Sequence, residues 1–591
     1  MSIPQKLSLK PVGLAVPAFA ILLAVFGIPM IRLFLTSLDA PAFSLANYEA
    51  FFRQGANVRV LFQTIEVSLV VTAICVIIGY PTAYLMASAP KNLRTALIVL
   101  VVIPYLTSLL VRTYAWIVIL GDRGMVNNVL LELGLISSPL PLIYNRMAVY
   151  VGMVQIMLPL MILPLVTVMV SIDRSLVAAA RSMGAQPSAA FWRVFFPLSL
   201  PGVRSGSLLV FVLCLGFYIT PAALGGLRDA MLSTFIAAQV ETSFNMARTA
   251  TSAFILLGIA AVMLAIFGLD LAGTQGRAVR PMPESSWKPV RLLSAIKRFS
   301  NELAASYRAK RWNAKLYQAS NIRRRTIARA VFVVSVMLFL LLPSVVVVIM
   351  SFSAGEFLTF PPPGISLKWY RSFFDDPSWT GAALTSVEIG VAVTILSTIV
   401  GTLAAYGLNR TSPKLRSILT LLLLAPITLP SIVVGISAYL GLLSFGLIGT
   451  KTGIALTHSL GAIAYVVVIV SATLASFDRR LEQAAMSMRA GPLQTFKRVT
   501  LPLIRPGIMG GALFAFLHSF DEVVKTSLVS GLSIRTLPLK MWENIRHEID
   551  PTIAAVASLL VLLPVLWLAA IYVTWWRSRP SAEHALPDAA A

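Results

Sequence analysis

The chain has 591 residues, of which 57% are hydrophobic and only 12% are charged. This composition is typical of a membrane protein and excludes a large soluble domain with one apolar core. The formal net charge of +24 would suit nucleic acid, but half of the excess lies in one segment between apolar runs, which argues against that class. We therefore expect membrane lipids, and no nucleic acid, among the partners.

Twelve apolar runs are long enough to cross a membrane, since a helix of about 20 apolar residues spans the hydrocarbon layer. Two of them, 95–121 and 506–534, reach this length only with interior charges. Lipid offers no partners for open backbone groups, so we expect all twelve to be helical. The ten uncharged runs are 11–31, 67–90, 147–172, 205–227, 249–269, 330–355, 389–409, 417–450, 452–477 and 551–576.

The segment 273–329 separates six predicted spans on each side and contains fourteen Lys or Arg residues and two Glu residues. Loops predicted on the opposite face are short or nearly balanced, so the positive-inside rule assigns this segment and both termini to the cytoplasm. We predict a first domain at 1–272, a basic linker at 273–329, a second domain at 330–578 and a tail at 579–591. The linker is either an amphipathic helix on the lipid surface or a plain connector.

The two halves are internal repeats of each other. Early matches lie 322 residues apart and later ones 305 apart, which places 17 additional residues in the first half, around 121–146. Parallel repeats of equal polarity are typical of transporters, with a pathway between the halves. The early matches are Tyr48 with Tyr370, Glu66 with Glu388, Tyr84 with Tyr406, and Pro104 with Pro426.

One polar loop occurs twice, at about 173–202 and 478–507, each time between two apolar runs. Small Ala side chains let a short helix approach a partner closely, and we expect the Pro-Gly pairs at 201–202 and 506–507 to stop that helix. Repetition of a polar pattern indicates contact with another molecule. The residues concerned are Asp173, Arg174, Ala179, Ala180, Gly184 and Pro197 in the first copy, and Asp478, Arg479, Ala484, Ala485, Arg489 and Pro502 in the second.

The pattern resembles the E-A-A-x(3)-G-x(9)-I-x-L-P loop of permease subunits in bacterial binding-protein-dependent ABC importers. The first half is similar to the first permease of spermidine/putrescine importers at 110–116 (LVRTYAW) and 216–221 (GFYITP). The second half is similar to the second permease at 520–523 (FDEV) and 536–540 (TLPLK). The chain therefore looks like both permeases fused through the basic linker.

This resemblance implies an all-α, polytopic protein of the bacterial inner membrane, with twelve transmembrane helices in two homologous halves of the type I ABC importer permease fold. It also implies that each repeated loop forms a coupling helix that docks into an ATP-binding cassette ATPase. Two such ATPases, which bind ATP and Mg, and an extracytoplasmic solute-binding protein are the implied partners. The chain has no phosphate-binding loop, so we expect it to be no enzyme, with no cofactor or metal of its own.

The chain departs from the family pattern inside both loops. The family's Glu is replaced by Ala178 in the first copy and by Gln483 in the second, and its Gly is replaced by Arg489 in the second. Glu482 lies one position earlier and is a candidate substitute for the missing Glu. These differences bear on the individual contacts of the loops, more so in the second half.

Two predicted spans carry charges near their centres. Arg112 lies in the third, and Asp521, Glu522 and Lys525 lie in the eleventh. A charge at this depth costs roughly 2.5–3.5 kcal/mol or more, so each is a functional candidate. On a continuous helix, Asp521 pairs with Lys525 four residues later. Glu522 then pairs with Arg112 or faces a cavity, and His518 is within reach of either carboxylate.

Carboxylates beside aromatic rings suit a flexible cationic solute, since acids bind ammonium groups and ring faces attract cations. A structural ion-pair cluster that locks the halves together is the alternative. By resemblance a polyamine is favoured, with an opine, an aminophosphonate and ferric iron as other solutes of similar permeases. The predicted pathway consists of Arg112, Trp116, Tyr218, Phe520, Asp521 and Glu522.

A secondary transporter of the major facilitator type is the competing interpretation. It would also have twelve helices in two parallel halves and a basic middle segment. The signature of that family lies between its second and third helices, where this chain has only the sequence SAPKNLR at 88–94. Here the repeated loop lies between the fourth and fifth helices of each half, which favours the importer permease.

Overall fold

The computed structural model describes residues 11–39, 41–242, 245–267, 318–547 and 551–562. These residues form helices, and the only β-pairing among them is an isolated bridge between Ser353 and Ile365. The predicted all-α membrane fold is confirmed. Nine helices in the described ranges are long and apolar enough to span a membrane, or eleven when two bent pairs are counted as spans.

The count of twelve is therefore not reached within the described part of the chain. The last predicted span, 551–576, is described only as far as residue 562. The predicted tail and residues 273–317 of the predicted linker lie outside the described residues. The remainder of that linker, from Gln318 onward, belongs to the first long helix of the second half.

The described residues of the first half form twelve helices. They are α1 (Val12–Ser37), α2 (Ala46–Arg53), α3 (Gly55–Ser88), α4 (Lys91–Leu106), α5 (Leu109–Leu120), α6 (Met125–Glu132), α7 (Arg146–Ser171), α8 (Arg174–Ser182), α9 (Pro187–Leu215), α10 (Ile219–Leu224), α11 (Leu232–Thr242) and α12 (Met246–Phe267).

The second half repeats this order among its described residues, without a counterpart of α6. That short helix lies in the predicted insertion at 121–146. The second-half helices are α13 (Gln318–Ser351), α14 (Lys368–Asp375), α15 (Pro377–Leu408), α16 (Pro413–Thr428), α17 (Ser431–Ser444), α18 (Lys451–Ala475), α19 (Arg480–Ser487), α20 (Pro492–Phe520), α21 (Val524–Val529), α22 (Leu537–His547) and α23 (Thr552–Leu562).

The third and fifth spans of each half are broken, so the prediction of continuous helices over these runs was wrong. α4 and α5 meet at 91° across 107–108, and α16 and α17 meet at 101° across 429–430. The fifth spans break at 216–218 and 521–523, before α10 and α21. Apolar composition does not reveal such breaks, because irregular backbone is tolerated at membrane depth when protein surrounds it.

Glycines let the central helix of each half pack closely against two neighbours. A Cβ added at Gly79 of α3 would lie 2.9 Å from Met161 Cγ of α7, and one added at Gly206 of α9 would lie 2.9 Å from Met161 Sδ. In the second half Val466 of α18 occupies the corresponding place between glycines of α15 and α20. Small residues at such crossings are the usual basis of helix packing in lipid.

The first helix of each half packs against the other half. In α1, Arg32 Nη1 donates to Ser444 Oγ of α17 at 3.2 Å. In α13, the carbonyl of Leu340 accepts a hydrogen bond from Gln155 Nε2 of α7 at 2.9 Å. The halves are therefore interlocked by reciprocal helices.

The long helix α3 has contacts near both ends of the bundle, and these contacts define the two ends. Near its start Glu66 pairs with Arg146 at 3.2 Å, and at its end the carbonyl of Ala87 accepts from Arg174 of the first repeated loop. Twenty-one residues of helix separate these contacts by roughly 30 Å. We call these the Glu66 end and the loop end.

The second half has the same two contacts along α15. Glu388 pairs with Lys451 at 2.5 Å, and Asn409 binds Arg479 of the second loop. The contact between Arg32 and Ser444 joins the Glu66 end of one half to the equivalent end of the other. Both repeated loops therefore lie at the same end of the molecule.

Close packing at Gly507 of α20 can be tested with one methyl group. A Cβ there would lie 2.7 Å from Thr473 Cβ, and overpacking of this kind typically costs about 1–3 kcal/mol. We expect Gly507→Ala to lower the thermal midpoint of the purified protein in detergent. Gly510→Ala on the same helix is the control, since an added Cβ there would lie 3.6 Å from its nearest neighbour, Ile469 Cγ2. Equal midpoints for the two variants would contradict the packing described here.

Candidate functional site

Each repeated loop starts with an aspartate whose side chain accepts a backbone N–H two residues later, at the start of a short helix. Asp173 accepts the N–H of Ser175 at 2.8 Å before α8, and Asp478 accepts the N–H of Arg480 at 2.9 Å before α19. Hydrogen bonds from the backbone N–H and the side chain of Ser175 hold the pKa of Asp173 below its ordinary value. A negative charge at this position also complements the positive end of the helix.

The short helices end in a left-handed turn. Gly184 has φ +86° after α8, and Arg489 has φ +64° at the equivalent place after α19. Glycine adopts this conformation without a steric penalty, whereas arginine adopts it at some cost. The second loop thus keeps the backbone geometry of the family although its glycine is replaced.

The prediction that the Pro-Gly pairs stop these helices was wrong. The pairs at 201–202 and 506–507 lie inside α9 and α20, well after the turns. A wide π-helical turn ends two residues before Pro197 in the first loop and two residues before Pro502 in the second. A wide turn makes room at a proline, whose ring would otherwise clash with the carbonyl four residues earlier.

Arg174 and Arg479 attach the loops to their own halves. Arg174 Nη2 donates to the carbonyl of Ala87 at 2.5 Å, and Arg479 Nη2 donates to the carbonyl and side-chain oxygens of Asn409. Ala87 and Asn409 are equivalent positions at the loop ends of α3 and α15. The conserved geometry of the two copies therefore includes the same internal anchor.

The second short helix is seated on its half by an ion pair. Glu482 is buried, binds Arg410 through both carboxylate oxygens and accepts the hydroxyl of Thr500. The guanidinium of Arg410 lies 3.4 Å from the ring centroid of Tyr406. Glu482 therefore faces its own half of the protein rather than the outer surface of the loop.

In the first half, aromatic rings join the end of α3 to the start of α9. Tyr84, the equivalent of Tyr406, packs edge-on against Phe191 at 5.3 Å and against Phe195 at 5.2 Å between ring centroids. Val177 stands where the second half has Glu482, so no ion pair can form there. The aromatic contact recurs in the second half, where Tyr406 packs against Phe496 at 4.8 Å. The ion pair of Glu482 is therefore the difference between the two loops.

The outer faces of both loops carry exposed apolar side chains at equivalent positions. Met183 is 82% exposed and Met488 is 84% exposed. Of the predicted alanines, Ala179 and Ala484 are exposed, whereas Ala180 is buried. Leu176 and Leu481 are also exposed at equivalent positions, so each short helix carries more than one exposed apolar side chain, as is typical of a protein-binding surface.

A central cavity of about 300 Å³ lies where the broken spans of the two halves meet. Its lining includes Tyr105 and Arg112 from the first half, and Tyr465, Asp521 and Glu522 from the second. Phe520, also predicted from the sequence, belongs to the lining as well. The structure therefore brings together four of the six residues predicted for the pathway.

The other two predicted pathway residues do not line this cavity. Trp116 packs against Phe339 of α13, with 5.7 Å between ring centroids, and Tyr218 packs against Trp542 of α22 at 5.5 Å. Tyr105 and Tyr465, which do line it, were not predicted. A single tyrosine inside an apolar run gives no sign of its surroundings.

Asp521 joins the halves at the cavity. One carboxylate oxygen accepts the hydroxyl of Ser108, and the other accepts the N–H of Leu109 at 3.2 Å. These groups form the start of α5, so the second half caps a helix of the first. The duplicated counterpart is apolar: a Cβ added at Gly216 would lie 2.8 Å from Pro430 Cα at the start of α17.

Glu522 and Lys525 form a buried ion pair with 2.5 Å between carboxylate and ammonium. The predicted pairing of Asp521 with Lys525 was therefore wrong, as was that of Glu522 with Arg112. The reason is that α20 ends at Phe520, so the spacing of a continuous helix does not apply. His518 lies near this pair, with its Nε2 at 3.4 Å from the ammonium of Lys525.

Arg112 of α5 is the other charged residue at the cavity. It is 4% exposed, and its Nε and Nη1 atoms have no hydrogen-bond partner. It forms no ion pair with any residue in the described ranges. No group of three or more possible metal ligands occurs among those residues either.

Comparison with known proteins places the chain among transport proteins. The family model described as "Binding-protein-dependent transport system inner membrane component" matches residues 397–578. The spermidine/putrescine transport system permease protein PotB of Haemophilus influenzae is 34% identical over 202 residues, which are 34% of this chain and 70% of that protein. The putrescine transport system permease protein PotI of Escherichia coli is 33% identical over 237 residues, 38% of this chain and 82% of that protein.

A chain in a crystal structure of a bacterial alginate ABC transporter, in complex with an alginate pentasaccharide-bound periplasmic protein, also aligns. The alignment has 16% sequence identity and a TM-score of 0.35, and it covers 43% of this chain and 90% of that one.

The chain belongs to the family of binding-protein-dependent transport system inner membrane components. It is a permease of an ABC importer, located in the inner membrane, and a transport protein rather than an enzyme. It is about twice as long as the Haemophilus relative, since the matched residues form 34% of one and 70% of the other. This length fits two permeases in one chain, and the family excludes the major facilitator alternative.

The buried pair of Glu522 and Lys525 allows a stability test. Lys525 is 3% exposed, and loss of one partner from a buried ion pair costs about 3–5 kcal/mol because the other charge is left uncompensated. We expect Glu522→Gln to lower the thermal midpoint in detergent strongly. The double variant Glu522→Gln with Lys525→Met should recover most of the loss. A single variant as stable as the unmodified protein would show that the pair is not buried as described.

Proposed function

We propose that this chain forms the whole translocation pathway of the importer and couples it to two separate ATPase subunits. The ATPases bind ATP and Mg, and an extracytoplasmic solute-binding protein delivers the solute. The observation that carries the proposal is the pair of equivalent short helices, α8 and α19, at one end of the bundle. Each is anchored to its half and exposes a methionine at its end.

The internal anchors explain how a motor could move the halves. An ATPase that grips α8 pulls on α3 through the bond from Arg174 to Ala87, and one that grips α19 pulls on α15 through Arg479 and Asn409. The long helices carry this displacement to the central cavity as rigid elements. Closure of the two ATPases thus becomes a rocking of one half against the other.

The proposed orientation places the loop end in the cytoplasm. Support comes from the basic segment 273–329, which the positive-inside rule assigns to the same side as both termini. The permease domains then extend over 1–272 and 330–578, each with one coupling loop. The basic segment is also the part of the chain best suited to contact anionic lipid.

The Glu66 end would then receive the solute-binding protein. The inserted α6 is fixed to the second half there, since the N–H of Phe360 donates to the carbonyl of Arg123 at 3.2 Å and Asn128 donates to the carbonyl of Phe360. A loop held in this way offers a rigid platform for a partner. The insertion thus has a place in the proposed assembly.

For the solute, we propose a small molecule with an ammonium group, such as a polyamine. The permeases of Haemophilus and Escherichia named above are those of spermidine and putrescine systems. Carboxylates and aromatic rings line the central cavity, and both attract ammonium groups. Opines, aminophosphonates and ferric iron are the other solute classes considered.

Docking can be tested at the two exposed methionines. Met183→Glu with Met488→Glu places a charge in each proposed ATPase contact, and we expect copurification of the ATPases to fall at least tenfold, roughly 1.4 kcal/mol of binding free energy. The matched control is Leu227→Glu with Leu532→Glu, two equally exposed leucines in the loops that follow α10 and α21. Unchanged copurification of the ATPases with the methionine variant would contradict the proposed docking role of the loops.

The anchors can be tested by charge reversal. In proteoliposomes with the ATPases, Arg174→Glu with Arg479→Glu should leave ATP hydrolysis measurable while solute uptake falls at least tenfold, because the short helices lose their attachment to α3 and α15. Lys91→Glu with Lys414→Glu is the matched control, since both lysines are exposed at the starts of α4 and α16 and lie outside the short helices. Normal uptake by the double variant would refute the transmission path.

A further inference from the structure

The carboxylates of the central cavity are largely occupied by the protein itself. Glu522 is paired with the ammonium of Lys525 at 2.5 Å. Asp521 accepts hydrogen bonds from Ser108 and from the N–H of Leu109. A carboxylate has about four acceptor positions, so Asp521 retains some capacity for an ammonium group, whereas Glu522 is already neutralised.

Arg112, unlike the carboxylates, has hydrogen-bonding groups that the protein does not use. Its guanidinium lines the cavity, is 4% exposed, and has two nitrogens with no hydrogen-bond partner. A buried guanidinium with unpaired donors is costly, and such groups persist in membrane proteins where function requires them. Among the described charged residues of the cavity, Arg112 is the one with donors to spare.

The net charge of the groups around the cavity also favours a solute that carries an acid group. Arg112 and Lys525 supply two positive charges, and Asp521 and Glu522 supply two negative charges, so these four groups sum to zero. A solute with two ammonium groups would leave the cavity with a net charge of two inside the membrane, where charge is poorly solvated. A solute that carries one positive and one negative group would leave the balance unchanged.

The positions of these groups suit one small molecule. Ser108, which binds Asp521, lies about one helical turn before Arg112 on α5. The free donors of Arg112 and the remaining acceptors of Asp521 are therefore close to each other but belong to different halves. A cavity of about 300 Å³ is at the small end of the range of ligand pockets.

We propose that Arg112 is an anion-binding subsite of the pathway and that the solute carries an acid group, a carboxylate or a phosphonate, in addition to its ammonium group. The acid group binds Arg112 and the ammonium group binds Asp521, so that the solute bridges the two halves. This inference rests on the proposed function and narrows its solute class from amines in general to amino acids in the broad chemical sense.

Two matched pairs of probes test the proposal on the purified full chain in lipid nanodiscs. Ornithine is putrescine with one added carboxylate, and 2-aminoethylphosphonate replaces one amine of diaminoethane by a phosphonate. Binding is measured for each as a concentration-dependent thermal shift. We expect at least one of the acids to half-saturate the protein at a concentration tenfold or more below that of its matched diamine.

Variants assign any such preference to Arg112. Arg112→Gln should abolish the preference for the acid, and Arg112→Lys, which keeps the charge, should retain part of it. Arg146→Gln removes an arginine outside the cavity and should leave the ratio unchanged. If Arg112→Gln does not fold, the lysine variant with its reduced ratio carries the test.

Three outcomes would overturn the inference: diamines that bind as tightly as their acids, a ratio unaffected at Arg112, or no binding of either acid. None of them bears on the importer role, which the copurification of ATPases tests separately. Conversely, failure of that copurification would remove the importer role even if an acid bound at Arg112.

Discussion

The arrangement of this permease depends on which groups form hydrogen bonds with the free ends of its broken helices, because lipid offers no hydrogen-bond partners. At the start of α5, the hydroxyl of Ser108 and the N–H of Leu109 are free of helix bonding, and Asp521 of the other half accepts both. This interaction holds the two halves together at the place where the spans break. It also brings charged residues beside a cavity, because the backbone opening that needs the aspartate is the same opening that creates the space.

The duplication supplies a second contact of this kind with different chemistry. Where one side has Asp521 against Ser108, the other has Gly216 packed against Pro430, with no charge and no side chain between them. The loop end shows the same divergence, since Glu482 of α19 pairs with Arg410, whereas α8 has Val177 at the equivalent position. The backbone geometry of these contacts is thus common to both halves, while the charged side chains that form them lie in the second half. A pathway between such halves is asymmetric, and a solute that enters it meets different groups on its two sides.

Attachment and exposure together make the repeated loops suited to transmission of force. A short helix without attachment to the long helices could bind a partner but could not transmit the partner's displacement to them. Here Arg174 and Arg479 bind α8 and α19 to the long helices, while Met183 and Met488 remain free for a partner. The exchange of α1 and α13 between the halves limits how far they can separate. In the proposed mechanism, this exchange confines the motion to rocking of one half against the other.

The sequence by itself determined the all-α class, the duplication, the insertion at 121–146 and the positions of the two loops, because apolar length and repeated patterns are properties of the chain alone. It also drew attention to Arg112, Asp521 and Glu522, since charges in apolar runs are costly wherever they lie. Only the tertiary structure decided where the helices break, which half holds α1 and α13, and which charges pair. These features depend on contacts between residues hundreds of positions apart, and Asp521 bound α5 instead of Lys525 because its own helix had already ended at Phe520.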